Sequence, residues 1–410
     1  MFHKLEEYRK AVLIALFLFM VITAATVLSS VAVTWSDYET RLTTHRGFDG
    51  LPSISQTSDG RIWVAWTKSV SGNFSIVYQT SSNGEGPWSP ETILTTDSSI
   101  DSAPSIFQDV NGSIWVVWSS DRAGGYDLYY KTSSNGGLDW TDANRLTTDP
   151  SDDLSPAATQ TVNGSIWVVW SSDRTGDYDL YYKTSSNGGL DWTDANRLTV
   201  NAAQDKLPSI VQTSEGNVWV SWSSMNEQEE YEIFYRTYNG SSWLNETQLT
   251  TAPSEVDTDP AILETVDGTI WVFWTSRGTG PSAQTDDLYY MYSSDNGVTW
   301  SDRILFTKDS IQYDDTWPTL MQARDTKIWV AWTSNRADQP DGNWDIYLKA
   351  SLAGDVNEDG VVDIYDLTLV AKAYGSAVGQ PEYNPELDIT KDGRVDIRDL
   401  AIVCRNYGLT

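Results

Sequence analysis

The chain has 410 residues, with 27 Lys and Arg against 57 Asp and Glu, which gives a formal net charge of −30. A surface this acidic repels phosphate backbones, so nucleic acid is excluded as a partner. The two His, His3 and His45, and the single cysteine, Cys404, exclude a histidine metal cluster and an internal disulfide.

The first 33 residues are typical of a targeting segment. Lys4, Arg9 and Lys10 precede an uncharged apolar run from Ala11 to Val33. This run is longer than the roughly 7–15 apolar residues of a secretory signal and exceeds the roughly 20 residues that span a bilayer. Two interpretations stay open, a cleaved signal peptide or a membrane anchor through residues 11–33. Both predict that the rest of the chain is extracellular, either secreted or anchored at the cell surface.

An internal repeat dominates the chain after this segment. A segment of the form Ile-Trp-Val-x-Trp, or a close variant, occurs six times, with copies 52 residues apart and the last one 58 residues further on. The first Trp of each copy is Trp63, Trp115, Trp167, Trp219, Trp271 or Trp329. In the second repeat, residue alternation and turn signals predict strands at 103–108, 113–119, 126–133 and 144–147. Four short strands repeated six times predict an all-β fold, a six-bladed β-propeller at residues 34–351.

The two ends of the repeat region are predicted to close the ring together. The sixth repeat stops after its third strand, at 345–349, and has no fourth. Residues 35–44, ahead of the first repeat, are similar to the fourth-strand segment 140–148 of the second repeat. An N-terminal strand that completes the last blade would remove an exposed sheet edge.

A turn motif within the repeats carries a family resemblance. Ser293–Trp300 follows the pattern S-x-D-x-G-x-x-W, residues 133–140 and 185–192 follow it with Asn in place of Asp, and 81–88 is a weaker copy. The pattern resembles the Asp-box, or BNR repeat, of sialidase-like propellers. The resemblance implies a structural turn between the third and fourth strands, away from an active site. It does not extend to catalysis, because no F-R-I-P-like segment lies near the N-terminus, and no catalytic residue is assigned.

Two charged positions recur around the predicted ring. An Asp stands three residues before the Pro of each first strand, at Asp49, Asp101, Asp153, Asp205, Asp257 and Asp315. An Arg follows the second strand in four repeats, at Arg122, Arg174, Arg277 and Arg336. These positions predict ion pairs between blades or turn caps; the alternative is a polar ring that faces a ligand.

A binding surface is expected where the repeats differ from one another. The sixth repeat carries Trp317 and inserts residues 339–344, the fifth inserts 278–286, and the fourth has the acidic stretch 225–230 in place of Asp-Arg. Aromatic rings beside carboxylates can stack on a sugar and hydrogen-bond to it. Carbohydrate is therefore the candidate ligand, although packing of loops against one another also explains these residues.

Residues 352–410 contain two copies of an acidic loop followed by a helical pattern. Loop positions 1, 3, 5, 9 and 12 carry oxygen side chains, position 6 is Gly, and position 7 offers a backbone carbonyl. Calcium takes 6–8 oxygen ligands, and this spacing wraps a loop around the ion. Two Ca²⁺ ions, coupled to folding, are therefore predicted. The candidate ligands are Asp355, Asn357, Asp359, Val361, Asp363 and Asp366 in the first loop, and Asp388, Thr390, Asp392, Arg394, Asp396 and Asp399 in the second.

The two loop–helix copies closely resemble the type I dockerin module. The predicted helices, 364–375 and 397–408, both end in Tyr-Gly, a helix-stop signal. The resemblance implies two bound Ca²⁺ ions and docking, through the helices, to a cohesin domain of another protein. Thr390 stands where Asn or Asp is usual, and Ile364-Tyr365 and Ile397-Arg398 replace the Ser-Thr pairs of many dockerins.

Two functions are compatible with this organisation of residues 1–33, 34–351 and 352–410. The favoured one is an extracytoplasmic binding or scaffold protein, attached to a cohesin-type partner by its tail. The other is a secreted glycoside hydrolase or lyase of polysaccharide catabolism, acting on O-glycosyl bonds. A pair of carboxylates about 5–10 Å apart in the central funnel would indicate the glycosidase.

Overall fold

A computed structural model describes residues 33–36, 38–70, 72–226, 230–251, 255–278, 285–307, 313–336, 343–357 and 360–408. The chain separates into two compact units, Met1–Thr34 and Trp35–Thr410. The predicted targeting segment lies outside the described residues, apart from residue 33. Among the described residues, no helix is both long and apolar enough to cross a membrane.

The described part of the second unit is built mainly from short strands, with two helices near its end. The strands are β1 (Thr40–Arg41), β2 (Asp49–Gln56), β3 (Ile62–Val70), β4 (Asn73–Ser81), β5 (Thr92–Ile93), β6 (Asp101–Gln108), β7 (Ile114–Ser120), β8 (Asp127–Ser133), β9 (Asn144–Arg145), β10 (Asp153–Gln160), β11 (Ile166–Ser172), β12 (Asp179–Ser185), β13 (Asn196–Arg197), β14 (Asp205–Gln212), β15 (Val218–Met225), β16 (Tyr231–Tyr238), β17 (Thr247–Gln248), β18 (Glu255–Glu264), β19 (Ile270–Gly278), β20 (Asp286–Ser293), β21 (Ile304–Leu305), β22 (Asp315–Gln322), β23 (Ile328–Ser334) and β24 (Asp345–Ala350). The helices are α1 (Ile364–Ala373) and α2 (Ile397–Asn406).

The strands form six antiparallel four-stranded sheets, which confirms the six-bladed propeller. Blades one to five contain β2–β5, β6–β9, β10–β13, β14–β17 and β18–β21, each in chain order. Blade six joins β22, β23, β24 and, at its outer edge, β1. Thr40 lies opposite Leu348, and Arg41 lies opposite Tyr347. The N-terminal strand therefore completes the last blade as predicted.

The second strand of each blade is apolar on both faces because every blade is packed between two others. In blade two, every residue of β7 is buried. The core between blades one and two combines Trp63 and Ala65 of β3 with Val116 and Trp118 of β7. This packing explains why the sequence repeats Trp in pairs, since one ring faces each neighbouring blade.

The Asp-box turns have the structural role that the resemblance implied. In blade two, Ser133 Oγ accepts a hydrogen bond from the backbone N–H of Gly137 at 2.9 Å, and Asn135 Oδ1 accepts one from that of Asp139 at 3.0 Å. Gly137 has a φ of +84°, and a Cβ there would lie 2.4 Å from the ring of Trp63 in the preceding blade. The turn therefore needs glycine both for its backbone and for the close approach of the neighbouring blade.

The C-terminal module is a small helical unit around its own apolar cluster. Val362, Val370, Val395 and Val403 are fully buried in that cluster. Each helix ends two residues before a glycine with positive φ, as the Tyr-Gly signals predicted.

Candidate ligand-binding cavity and calcium loops

The Asp that precedes each first-strand Pro by three residues belongs to the scaffold. All six of these side chains are at most 1% exposed. In five blades the carboxylate accepts a hydrogen bond from the indole N–H of the second Trp of the repeat, at 2.8–3.0 Å. The prediction that these aspartates form a ring facing a ligand is therefore wrong.

Ion pairs to these aspartates lie within blades rather than between them, which corrects the other expectation. Strand pairing places Asp101 of β6 opposite Ser120 of β7. Arg122, two residues after Ser120, therefore reaches back to Asp101 within the same blade. The pairs are Arg122–Asp101 at 2.8 Å, Arg174–Asp153 at 2.8 Å and Arg336–Asp315 at 2.5 Å. A second pair in the same blades joins the third and fourth strands, at Arg145–Asp127, Arg197–Asp179 and Arg41–Asp345, each at 2.7 Å.

Blade four has the carboxylates but lacks these cations. Met225 and Asn226 follow Ser224, where blades two and three have Asp-Arg and blade six has Asn-Arg. Desolvation raises the pKa of Asp205 to about 6. At the second pair, Gln248 takes the place of Arg145, and burial raises the pKa of Glu232.

The residue immediately before each Pro points toward the propeller axis. A β-bulge at this point in each first strand forces a left-handed backbone, with φ between +52° and +58°. A non-glycine residue is rare in that conformation, which costs about 1–3 kcal/mol. A hydroxyl of the preceding blade holds each N–H at 3.0–3.2 Å; the pairs are Leu51–Thr333, Ala103–Thr67, Ser155–Ser119, Leu207–Ser171, Asp259–Ser223 and Trp317–Thr275.

These six residues and their prolines line an axial cavity that opens to solvent, and its empty space of about 490 Å³ includes part of that solvent. Five of the six side chains are uncharged, and Asp259 is the one carboxylate among the described residues that line it. Its Oδ2 accepts a hydrogen bond from the Thr258 hydroxyl at 2.9 Å. Burial, with a contribution from the charge of Asp286, raises the pKa of Asp259 to about 6. The cavity therefore has a single carboxyl group that can change protonation near neutral pH.

Aromatic rings gather on one side of this cavity. The ring of Trp317, which lines the cavity, lies 6.0 Å from the rings of both Trp344 and Phe48. Phe48 in turn makes an edge contact with Phe74 at 5.6 Å. Trp317 is half-buried and adjoins Asp259 in the lining, so the pair offers a stacking face beside a hydrogen-bonding group.

An ion pair between Arg277 and Asp286 lies near Asp259 of the cavity. Arg277 donates to both oxygens of Asp286, at 2.6 Å and 2.5 Å, instead of pairing with Asp257. The backbone N–H of Asp286 donates to Asp314 Oδ1 at 3.1 Å. Burial raises the pKa of Asp286, and Arg277 opposes that rise.

The structure brings only some of the residues expected at a binding surface together. Trp317 and Trp344 are in contact, and Asp286 lies near enough to act on Asp259. Of these segments, residues 227–229, 279–284 and 339–342 lie outside the described residues. Asp259 was missed from the sequence, although it is the only acidic residue among the six that directly precede these prolines.

The backbone of the first predicted calcium loop folds around two of the predicted ligands, Asp355 and Asp366. Asp355 Oδ2 accepts from the N–H of Gly360 at 3.0 Å, across the loop. The buried Asp366 accepts from the N–H groups of Val356, Asn357 and Asp363 at 2.8–3.2 Å. Of the other predicted ligands, Asp359 lies outside the described residues, and Val361 follows Gly360 in the turn.

The second loop repeats this arrangement. Asp388 accepts from the N–H groups of Asp392 and Gly393 at 3.2 Å and 2.8 Å. Asp399 accepts from the N–H groups of Thr390 and Asp396 at 2.9 Å and 2.7 Å. The hydroxyl of Thr390 also donates to Asp399, at 3.1 Å, and the N–H of Arg394 donates to Asp392 at 3.0 Å.

The donors in both loops fit a hard divalent cation in their chemistry. Asp366, Asp388 and Asp399 are fully buried, and within the described residues none of them forms an ion pair with Lys or Arg. A buried carboxylate without a cation is costly, and oxygen-rich loops of this kind suit calcium. The described residues, which omit Asp359, nevertheless contain no group of three Asp, Glu, His or Cys side chains arranged to hold a metal. The fit thus rests on donor type and loop shape.

Comparison with protein families agrees with both resemblances. Residues 353–406 match the family model of the dockerin type I domain, and type I dockerin domains bind calcium. Residues 163–305 match the family model described as a BNR repeat-containing family member. A comparison with curated proteins found no match.

Several solved structures share the propeller fold at low sequence identity. A protein of unknown function from Dyadobacter fermentans is 14% identical, with a TM-score of 0.63 over 77% of this chain and 98% of its own. The GH93 α-L-arabinofuranosidase of Fusarium graminearum, solved with arabinobiose, is 13% identical, with a TM-score of 0.58 over 77% and 97%. The NanB sialidase from Streptococcus pneumoniae is 10% identical, with a TM-score of 0.57 over 80% and 72%.

Proposed function

We propose that this protein is an extracytoplasmic binding protein that presents the axial cavity to a carbohydrate and attaches to a cohesin-type partner through its C-terminal module. In this proposal residues 1–33 direct export, 34–351 bind the ligand, and 352–410 dock. The dockerin match supports the docking role, and the fold shared with carbohydrate-active proteins supports the class of ligand.

One observation favours a binding role over a catalytic role. Among the described residues that line the cavity there is a single carboxylate, Asp259, next to the half-buried ring of Trp317. The repeated aspartates supply no second carboxylate there, because they are bonded to Trp and Arg inside the blades. A sugar ring stacked on Trp317 and hydrogen-bonded to Asp259 needs no second acid.

For the docking module we propose two calcium sites, with the twelve predicted ligands divided between the loops. The ions would supply the positive charge that the buried Asp366, Asp388 and Asp399 lack. Around them the chain's own N–H groups already orient these carboxylates. Loop folding and calcium binding are then a single event, so docking depends on calcium.

The binding role is tested by titrating the protein with a panel of oligosaccharides, arabinobiose among them, by calorimetry. Trp317→Ala should weaken the observed binding at least tenfold, in line with about 1.4 kcal/mol for a lost stacking contact. Tyr38→Ala, which removes an exposed aromatic ring outside the cavity lining, is the matched control and should change affinity little. If no oligosaccharide binds, or both variants behave alike, the cavity is not the binding site.

Docking is tested separately, by measuring binding to purified cohesin domains with calcium and with a chelator. The proposal expects binding to at least one cohesin in calcium only. Binding that persists in the chelator would contradict the coupling between ion and docking.

A glycoside hydrolase remains the second candidate because of one specific observation. The pKa of Asp259, about 6, suits a general acid, and Asp286 lies close enough to contribute to that value. These two residues are the candidate carboxylate pair. Hydrolysis of any polysaccharide in the panel, abolished by Asp259→Asn, would establish this function and displace the binding role.

A further inference from the structure

The second calcium loop contains a cation of its own. The guanidinium of Arg398, the second residue of α2, contacts the carboxylates of both Asp392 and Asp396. Its Nη2 lies 2.7 Å from Asp396 Oδ2, and its Nε lies 3.1 Å from Asp396 Oδ1. Asp392 and Asp396 are the predicted calcium ligands at loop positions 5 and 9, so one side chain of the protein holds two of the donors.

Within the described residues, which omit Asp359, the first loop has no such contact from the equivalent residue. Tyr365 occupies the position of Arg398, and its backbone N–H donates to Asp363 Oδ1 at 2.7 Å, as that of Arg398 does to Asp396 at 2.8 Å. The helix starts are thus the same, with the same capping box. The two side chains differ in charge, because the phenol of Tyr365 is neutral and the guanidinium of Arg398 is always charged.

We infer that Arg398 is a built-in competitor of calcium at the second loop, and that calcium binding releases its guanidinium from Asp392 and Asp396. This inference rests on the proposed calcium sites. A guanidinium and a divalent ion cannot share the same carboxylate oxygens without strong repulsion. Calcium must therefore displace Arg398, and the second site binds more weakly than the first.

Two consequences follow from the competition. With Arg398 in place, Asp392 and Asp396 stay partly neutralised when calcium is low, whereas the buried Asp388 and Asp399 have no ion pair among the described residues. When calcium binds, a positive side chain at the start of α2 becomes available to an acidic group on a partner. The two loops therefore respond to calcium in sequence, first loop before second.

The experiment is a calcium titration of the metal-stripped full chain by calorimetry, at low ionic strength. Arg398→Gln should tighten the weaker of two sites roughly three- to tenfold and leave the tighter site unchanged, as expected for exposed ion pairs. Arg405→Gln is the matched control, because Arg405 lies on the same helix, faces Asp325 at 3.9 Å and loses the same charge. It should change neither site.

A second variant tests the idea in the opposite direction. Tyr365→Arg should weaken the tighter site by a similar factor, and the effect of both variants should shrink in high salt because the pairs are exposed. Unchanged affinities in Arg398→Gln, with two calcium ions still bound, would overturn the competition alone. Failure of the unmodified chain to bind calcium at millimolar concentration would overturn the proposed calcium sites as well.

Discussion

The propeller and the C-terminal module both bury aspartates, but they neutralise them in different ways. In blade three, Asp153 receives a cation from the chain itself, Arg174 at 2.8 Å. In the module, the buried Asp366 receives only N–H groups among the described residues. Blade four lies between these cases, because Asp205 has a Trp donor but no cation. A buried carboxylate that is paired with an Arg of the chain needs no dissolved ion for folding. A buried carboxylate that lacks such a partner makes folding depend on an ion from the solution.

The largest expected effect is the loss of the module on removal of calcium. A chelator should unfold residues 354–410, because Asp366, Asp388 and Asp399 then stay buried without neutralising charge, and should leave the propeller folded. Circular dichroism would show loss of the helical signal, while the thermal transition of the propeller persists. A helical signal that survives chelation would show that the module does not depend on the ion.

Asp153→Asn should destabilise the propeller by about 3 kcal/mol, because it leaves the mostly buried Arg174 with only the more distant carboxylate of Asp149, at 3.8 Å. The Trp170 N–H can still donate to the asparagine oxygen, so the change isolates the ion pair. Urea denaturation measures the loss. Asp177→Asn, at an exposed site in the same blade, removes the same charge and should be nearly neutral. Equal effects of the two variants would mean that the pair contributes nothing.

Asp205→Asn should act in the opposite sense and with a pH dependence. The pKa of Asp205 is raised from 3.8 to about 6, so the folded state holds the proton more tightly than the unfolded chain. Stability due to this group is present below pH 3.8 and is lost as the pH rises through 6. The variant should therefore gain about 3 kcal/mol at pH 7 and little near pH 4. Urea denaturation at both pH values checks this, and a loss of stability at pH 7 would contradict it.

The smallest expected effect comes from giving blade four its missing second cation. Gln248 donates to Thr250 O at 2.8 Å, as Arg145 does to Thr147 O in blade two at the same distance. Gln248→Arg should therefore reach Glu232 and stabilise the fold by about 1 kcal/mol, measured by urea denaturation. The gain should vanish when Glu232→Gln is added, which a double-mutant cycle would show. A gain that is independent of Glu232 would rule out the ion pair.

The repeated features of the fold could be predicted because each depends on residue spacing alone. The paired Trp, the Asp-box turns and the missing fourth strand before Leu352 were enough to give six blades and the closing strand β1. The partners of the repeated Asp and Arg were assigned wrongly, although hairpin pairing of β6 with β7 already places Asp101 beside the end of the strand that precedes Arg122.

The candidate cavity could not be predicted in the same way. Strand alternation assigns side chains to two faces, but the bulge before each Pro adds a residue and turns it toward the axis. Asp259 and Trp317 point there only because of that left-handed backbone. The contact of Arg398 with two loop carboxylates depends on a side-chain conformation, which spacing does not determine.

The placement of β1 also decides how the protein would respond to tension. Trp35 pairs with Ser351, and β1 runs antiparallel to β24, so the chain enters and leaves the propeller at the same end of one strand pair. Force applied between the residues before Trp35 and those after Ser351 would open this pair bond by bond, as a zipper opens. The rings of Trp271, Phe273, Tyr290 and Phe306, which surround Trp35, would be the first resistance. A tether at each end would thus separate β1 from β24 first, before force reaches the other blades.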